Sequence, residues 1–244
     1  MTNRDFYDNS FTQAFDKNRD LAASQAFPVL MRKVYTWMAL ALIITGVVSY
    51  GIFVTPSIRI LYLNNPAMMW VPLFVELGIV IYLSARLHKI SLTTATTWFV
   101  IYSVLNGITL APIFFVYTGT SIAKAFFITA GTFGAMAFVG ATTKKDLTGL
   151  GGILLMVLLG GIIAMVVNIF LKSAMFDFIL SGIMVVLFAG LTAWDSQQIK
   201  QYLLMAPDTG ETSQKIALSG ALNLYLDFIN LFLYLLRFFG NSRD

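Results

Sequence analysis

The chain has 244 residues, of which 58% are hydrophobic and 11% charged, and a soluble domain of this size could not bury so much apolar surface, so the composition indicates an integral membrane protein. The absence of cysteine and the single histidine, His88, exclude disulfides, thiolate nucleophiles and histidine-ligated metal sites. The formal net charge of +4 is typical of the basic cytoplasmic loops of such proteins, and we do not expect nucleic-acid binding.

The first 33 residues differ from the rest of the chain. They contain five basic and four acidic residues and have no apolar run, so they do not have the pattern of a secretory signal peptide. We predict a polar cytoplasmic tail over residues 1–33, followed by a transmembrane domain over residues 34–240.

The transmembrane domain contains seven apolar runs, and a helix that crosses the hydrocarbon needs about 20 residues. The predicted segments are 34–54, 69–85, 93–117, 122–142, 150–171, 176–199 and 216–239. Turn signals separate several of them, for example Thr55-Pro56 and Asn64-Asn65-Pro66, because a residue before proline avoids the helical conformation. The sequence therefore predicts an all-α membrane protein, a bundle of seven transmembrane helices.

The distribution of lysine and arginine predicts how the bundle is oriented. With seven crossings, eleven of these residues lie on the side of the N-terminus and five on the other. Because cytoplasmic loops are enriched in basic residues, the N-terminus is predicted to be cytoplasmic and the C-terminus to lie outside.

Ionisable side chains inside a membrane are costly and indicate function. Four stand out within the predicted helices: Glu76, Asp195, Asp227 and Arg237. From the helical rise, Asp227 lies roughly 16 Å, Glu76 about 14 Å and Asp195 about 6 Å from the cytoplasmic helix ends. Arg237 lies about 15 Å beyond Asp227, so we expect it to pair with Glu76 instead.

Two aspartates that approach each other in a low dielectric are expected to share a proton and titrate as a pair. Asp195 and Asp227 would then serve as a pH sensor, a proton relay or a cation site, since Ca²⁺ prefers oxygen ligands. Asn223 and Asn230 lie on the same helix face as Asp227, and Asn106 marks an irregular part of the third helix. These three are candidate pore-lining residues; the alternative is that they only form hydrogen bonds between helices.

Two other functional classes share features with this chain: intramembrane aspartyl proteases also use two aspartates, and retinal proteins also have seven helices. The Gly-x-Gly-Asp signature of intramembrane aspartyl proteases is absent, since Asp195 follows Thr-Ala-Trp and Asp227 follows Leu-Tyr-Leu. A retinal protein needs a lysine within its last helix, and Lys215 lies before that helix. We therefore expect neither an enzyme nor a bound cofactor.

Five stretches carry a family pattern: 76–86, 102–107, 142–147, 190–195 and 221–232. The last, Ala-Leu-Asn-Leu-Tyr-Leu-Asp-Phe-Ile-Asn-Leu-Phe, is the most specific. Together they resemble the Bax inhibitor-1 (transmembrane Bax inhibitor motif) family over about residues 25–240. One departure is Trp194, at a position where the family often has tyrosine.

The resemblance implies a pH-sensitive passive Ca²⁺ leak channel whose C-terminal helix lies near the centre of the bundle. It makes Asp195 and Asp227 the proton-sharing gate and Ca²⁺ contact, with Glu76, Arg86 and Arg237 as latch or salt-bridge residues. The expected partners are the bilayer, Ca²⁺ and protons, and the expected location is a bacterial inner membrane. No anti-apoptotic role is carried over.

Two alternatives from other classes stay open. The first is a regulatory protein that binds a membrane quality-control protease or another membrane protein and transports nothing itself. The second is a proton-coupled transporter that uses the same carboxylates to move a substrate uphill.

Overall fold

A computed structural model describes the backbone of residues 3–87 and 89–241, and the side chains of residues 25–68, 70–87 and 89–241. Every regular element in these ranges is a helix, which confirms the predicted all-α class. The helices are α1 (Asn3–Val54), α2 (Pro56–Asn64), α3 (Ala67–Arg86), α4 (Leu92–Leu110), α5 (Pro112–Val116), α6 (Gly119–Thr142), α7 (Thr148–Leu171), α8 (Ala174–Leu204) and α9 (Glu211–Phe239).

Short polar residues begin several of the long helices. The hydroxyl groups of Ser91, Thr118 and Ser173 accept hydrogen bonds from backbone N–H groups three residues later, which satisfies donors that a helix start leaves without a partner. The end of α7 is marked by Lys172, whose φ of 50° places it in the left-handed conformation common after a helix. These caps let the chain turn back within a few residues.

Six helices of the described residues are long and apolar enough to cross a membrane: 25–54, 92–116, 119–142, 148–171, 174–204 and 211–239. The predicted second crossing corresponds to α3, which is not one of the six, so the count of seven stays a prediction. The predicted third segment is continuous in length but divides into α4 and α5, because Pro112 has no backbone N–H to continue the helix.

The packed face of α1 extends into the predicted tail. Ala26, Leu30, Val34 and Met38 recur at four-residue spacing and are all buried in the core, so this face begins at residue 26, and the membrane boundary at residue 34 stays a prediction. The side chains of Arg32 and Lys33 lie on another face of the same helix. Of the predicted tail, side chains 1–24 lie outside the described residues.

The last helix is the most buried. α9 packs against α1, α4, α6 and α8. In an apolar stretch of 18 residues within α9, 67% of the residues are buried, compared with 33% or less in the corresponding stretches of the other five candidate spans. Among these spans, α9 carries an aspartate and two asparagines near its middle. α9 is thus the most buried of the six candidate spans.

Contacts between helix ends define two sides of the bundle. On one side, which we call the basic side, Lys33 Nζ donates to Gln214 and Lys200 Nζ donates to the carbonyl of Ala141, both at 2.7 Å. On the other, the C-terminal side, the N–H of Thr118 donates to the carbonyl of Asn241. The placement of the basic side in the cytoplasm stays a prediction.

Close backbone packing joins α6 to α8 at Gly140. A Cβ atom at this position would overlap the carbonyl oxygen of Ala193, which is backbone and cannot rotate away. At Gly131 and Gly134, on the same helix, an added Cβ would meet nothing within 4 Å. Glycine is therefore required at the crossing of α6 and α8, and not at the two other positions.

This difference predicts an effect on stability. We expect Gly140→Ala to lower the free energy of unfolding by about 1–3 kcal/mol, the usual cost of overpacking, and Gly131→Ala to leave it nearly unchanged. Thermal unfolding of the purified protein in detergent measures both. Equal shifts in the two variants would contradict the proposed role of the crossing.

Candidate functional site

The structure brings Asp195 of α8 and Asp227 of α9 together. Their carboxyl groups lie close enough for a direct electrostatic interaction, and the residues are only 9% and 5% exposed. Two buried carboxyl groups this close are expected to share one proton, because both cannot ionise in a low dielectric. The remaining oxygen of Asp227, Oδ2, is buried without a partner among the described residues.

Close packing of the two helices places the pair. An added Cβ at Gly220 of α9 would lie 3.0 Å from Ile199 of α8, one turn beyond Asp195. The glycine therefore lets the helices approach at this level, and the two aspartates face each other where the backbones are near.

A cavity of about 680 Å³ reaches Asp195 on the basic side of the bundle. It lies between α7, α8 and α9, and Trp194, Gln198, Ser219 and Asn223 line it together with Asp195. Asn223 is exposed, as expected for a residue that faces a water-accessible space. One carboxyl group of the pair is thus in reach of this cavity.

A second cavity, of about 370 Å³, lies on the C-terminal side between α5, α7 and α9. Its polar residues are Tyr117, Asn230, Tyr234 and Arg237. The Asn230 amide group donates to the carbonyl of Leu226 at 2.8 Å, a bond to the preceding turn of its own helix. Asn223 and Asn230 therefore line cavities on opposite sides of Asp227.

A short packed section of α9 separates the two cavities. Leu224, Tyr225, Phe228 and Leu231 are all buried in the core, and the seven residues from Asn223 to Asn230 span about 10 Å of helix. The rings of Phe99 and Tyr102 meet the Tyr225 ring edge-on, at centroid distances of 6.0 and 5.9 Å. These packed side chains lie between the two cavities along α9.

Arg237 does not pair with Glu76, contrary to the sequence-based expectation. Its guanidinium group lies 3.1 Å from the carboxylate of Asp177 on α8, which also accepts a hydrogen bond from the amide of Asn168 on α7. All three residues lie near helix ends on the C-terminal side, so they connect α7, α8 and α9 there. The depth estimate could not show which neighbouring helix Arg237 faces.

Glu76 of α3 is buried against α4. Its carboxylate accepts hydrogen bonds from the Thr109 hydroxyl at 2.6 Å and from the Asn106 amide at 3.3 Å, while Asn106 Oδ1 has no partner in the described chain. Asn106 thus belongs to the surroundings of Glu76 and not to those of the aspartate pair.

Arg86 is exposed in the last turn of α3. No ion pair joins it to any residue of the described ranges, so the predicted latch to Asp195 and Asp227 is not formed in this conformation. The next residue, Leu87, lines the 680 Å³ cavity. Arg86 therefore lies near the mouth of that cavity.

A hydroxyl cluster next to the pair was not anticipated from the sequence. The Thr45 hydroxyl on α1 lies 2.7 Å from the Tyr225 hydroxyl and 2.9 Å from the carbonyl oxygen of Ser103 on α4. The signal was the occurrence of Thr45 and Ser49 at four-residue spacing within an otherwise apolar run. The cluster holds α9 against α1 and α4, two residues from Asp227.

A second unanticipated residue is Gln197, two positions after Asp195. Its amide donates to the carbonyl of Lys145 at 2.8 Å and accepts from the N–H of Leu147 at 2.7 Å. Both bonds hold the connection between α6 and α7 over the end of α8, the basic stretch 142–147 among the family patterns above. Within the described residues, no group of three or more histidine, aspartate or glutamate side chains is arranged to hold a metal ion.

The chain is similar to known membrane proteins over most of its length. The family model described as "Inhibitor of apoptosis-promoting Bax1" matches residues 28–244. The inner membrane protein YbhL of Escherichia coli strain K12 is 44% identical over 215 residues, which cover 87% of this chain and 92% of that protein. Uncharacterized proteins of Rickettsia prowazekii and Borreliella burgdorferi are 45% and 43% identical, over 88% of this chain and 90% and 92% of theirs.

The buried Glu76 cluster yields a prediction about stability. Glu76→Gln can accept from Thr109 and donate to the unsatisfied oxygen of Asn106, whereas Glu76→Leu leaves both partners unpaired in the core. We expect the leucine variant to lose about 1–3 kcal/mol of unfolding free energy and the glutamine variant to stay close to wild type. Thermal unfolding in detergent measures the difference.

A glutamine variant as unstable as the leucine variant would contradict this account. It would mean that the negative charge of Glu76, and not its hydrogen bonds, stabilises the packing of α3 on α4.

Proposed function

Because the chain belongs to the Bax inhibitor-1 family of membrane proteins, we propose that it is a passive Ca²⁺ leak channel controlled by protonation of Asp195 and Asp227. The observation that carries the proposal is the contact between these two buried carboxyl groups, one of which lines a cavity. The remaining residues of the site either line the proposed ion path or support the helices around it.

The proposed path follows α9. An ion would enter the cavity on the basic side, pass Asn223 and the aspartate pair, cross the packed section at Tyr225 and Phe228, and leave past Asn230 on the C-terminal side. Oxygen atoms are the ligands that Ca²⁺ prefers. Asp195 and Asn223 supply carboxylate and amide oxygens in the cavity on the basic side, and Asn230 supplies an amide oxygen in the cavity on the C-terminal side. Ca²⁺ is the transported ion here, not a resident cofactor.

The pair supplies the pH sensitivity. With one proton shared, the two carboxyl groups attract each other and hold α8 against α9. Without that proton they repel as like charges in a low dielectric, and together they carry the two negative charges that match Ca²⁺. Protonation thus changes both the helix contact and the affinity for the cation.

The proposal also includes the finer architecture. We take α3 as a seventh crossing, since its 20 residues give about 30 Å of helix, and α9 as the central helix, which its burial and its four neighbouring helices support. The basic side faces the cytoplasm. We assign the protein to a bacterial inner membrane, the location in the printed name of the Escherichia coli relative.

The test is Ca²⁺ entry into proteoliposomes loaded with a fluorescent indicator, scanned from about pH 5 to 8. We expect a flux in wild type that runs down the Ca²⁺ gradient and varies with pH, and a loss of that pH dependence in Asp195→Asn/Asp227→Asn, because asparagine does not titrate. The direction of the pH response follows from the same scan.

Asp177→Asn is the matched control, because Asp177 is an aspartate near the opposite end of the same helix, where it pairs with Arg237 and not with another carboxyl group. It should keep the wild-type pH profile. Flux with an unchanged pH profile in the double variant would overturn the gate, and no wild-type flux above that of empty vesicles would overturn the channel and favour a partner-binding protein.

A further inference from the structure

A cavity of about 290 Å³ opens between α1 and α6 on the lipid-facing surface. Phe126 and Phe127 of α6 form part of its wall, and Phe127 is 73% exposed, so the cavity is open toward the hydrocarbon. Its floor is formed by Phe228, Ile229 and Phe232 of α9, all of which are buried. This cavity is separate from the two along the proposed path.

The cavity has a polar wall on α1. Thr45 and Ser49 both line it, and the Thr45 hydroxyl is occupied by Tyr225 and Ser103. Ser49 is 2% exposed, and its hydroxyl has no hydrogen-bond partner among the described residues. A buried hydroxyl without a partner is destabilising, so the geometry suits a ligand that brings an acceptor to Ser49.

The unpaired hydroxyl lies toward one end of the cavity. Ser49 lies five residues from the end of α1 at Val54, or about 8 Å below that helix end, and Leu42 lies about 10 Å deeper. On the opposite wall, α6 begins at Gly119 and reaches Phe126 about 10 Å deeper. The cavity therefore extends from Ser49 toward apolar side chains that lie deeper.

We propose that this cavity binds one acyl chain of a phospholipid from the leaflet on the C-terminal side, with its ester carbonyl accepting a hydrogen bond from Ser49. A phospholipid has the same order of groups, with the ester at the edge of the hydrocarbon and the chain toward the middle. The volume is near the lower end of small-ligand sites, which suits part of one chain and not a whole lipid.

Occupancy would act on α9. A chain on the floor touches Phe228, the neighbour of Asp227 in sequence, and fills the space between α1 and α6 over the helix. The lipid would thus form part of the packing that keeps α9 in position. The inference stands without the proposed Ca²⁺ leak, because it concerns binding alone.

Photolabelling tests the site. The full chain is placed in nanodiscs that contain phosphatidylethanolamine with a diazirine on one acyl chain, and labelled peptides are mapped by mass spectrometry. We expect label on residues 228–232 that saturates with increasing probe, since bulk lipid does not reach these buried side chains, and unsaturable label on exposed residues such as Phe170.

Matched glycine variants separate the cavity from the general lipid surface. Gly46 lines the cavity and Gly51 does not, yet an added Cβ meets nothing within 4 Å at either position of α1. Gly46→Leu should abolish the saturable label by filling the space, whereas Gly51→Leu should retain it. Ser49→Ala should weaken the apparent affinity of the probe by about two- to tenfold, the effect of one hydrogen bond.

Three results would overturn the proposal. The first is label on 228–232 that does not saturate, and the second is saturable label that survives Gly46→Leu. The third is saturable labelling by a free fatty acid with the same diazirine and none by the phospholipid, which would assign the cavity to a different ligand.

Discussion

The hydrocarbon of a bilayer offers no hydrogen-bond partner, so each polar group within it must find one inside the protein. This constraint explains the position of α9, which carries Tyr225, Asp227 and Asn230 in its middle turns. The Tyr225 hydroxyl meets that of Thr45 of α1, and Asp227 lies beside Asp195 of α8. Neither neighbour is on α9 itself, so Tyr225 and Asp227 meet these groups only because helices from two directions pack against α9.

The same constraint sorts the remaining helices. The most apolar candidate span is α7, and only 6% of its 18-residue apolar stretch is buried. It packs chiefly against α8. Because it carries few groups that need a partner, lipid can cover the rest of its surface. Its hydrogen bond to an ionic side chain, from Asn168 to Asp177 of α8, lies at the end of the helix. Polarity along the sequence therefore corresponds to depth within the bundle, from lipid-covered α7 to enclosed α9.

Sequence patterns predicted the features that depend on a single helix. Hydrophobic length located six candidate crossings, and the seventh stays a prediction. The proximity of the two aspartates was predicted because a buried carboxylate needs a partner and the family pattern joins them. The partners of Glu76, Arg86 and Arg237 depend on which helices are neighbours and on how each helix is rotated. The depth of a residue along its own helix carries no information about either. Arg237 thus meets Asp177, at similar depth on α8, and Glu76 meets Thr109 on α4. Ser49 could not be recognised as unsatisfied before the surrounding helices were placed.

The contact of Gly140 with the Ala193 carbonyl has a mechanical consequence. Ala193 lies two residues before Asp195, and backbone meeting backbone leaves no side chain there whose rotation could absorb a displacement. α6 and this part of α8 therefore behave as one stiff frame, and Asp195 is fixed to it. Any change in the separation of the two carboxyl groups would then have to come from α9, where Thr45 and Tyr225 meet through side chains that can change rotamer.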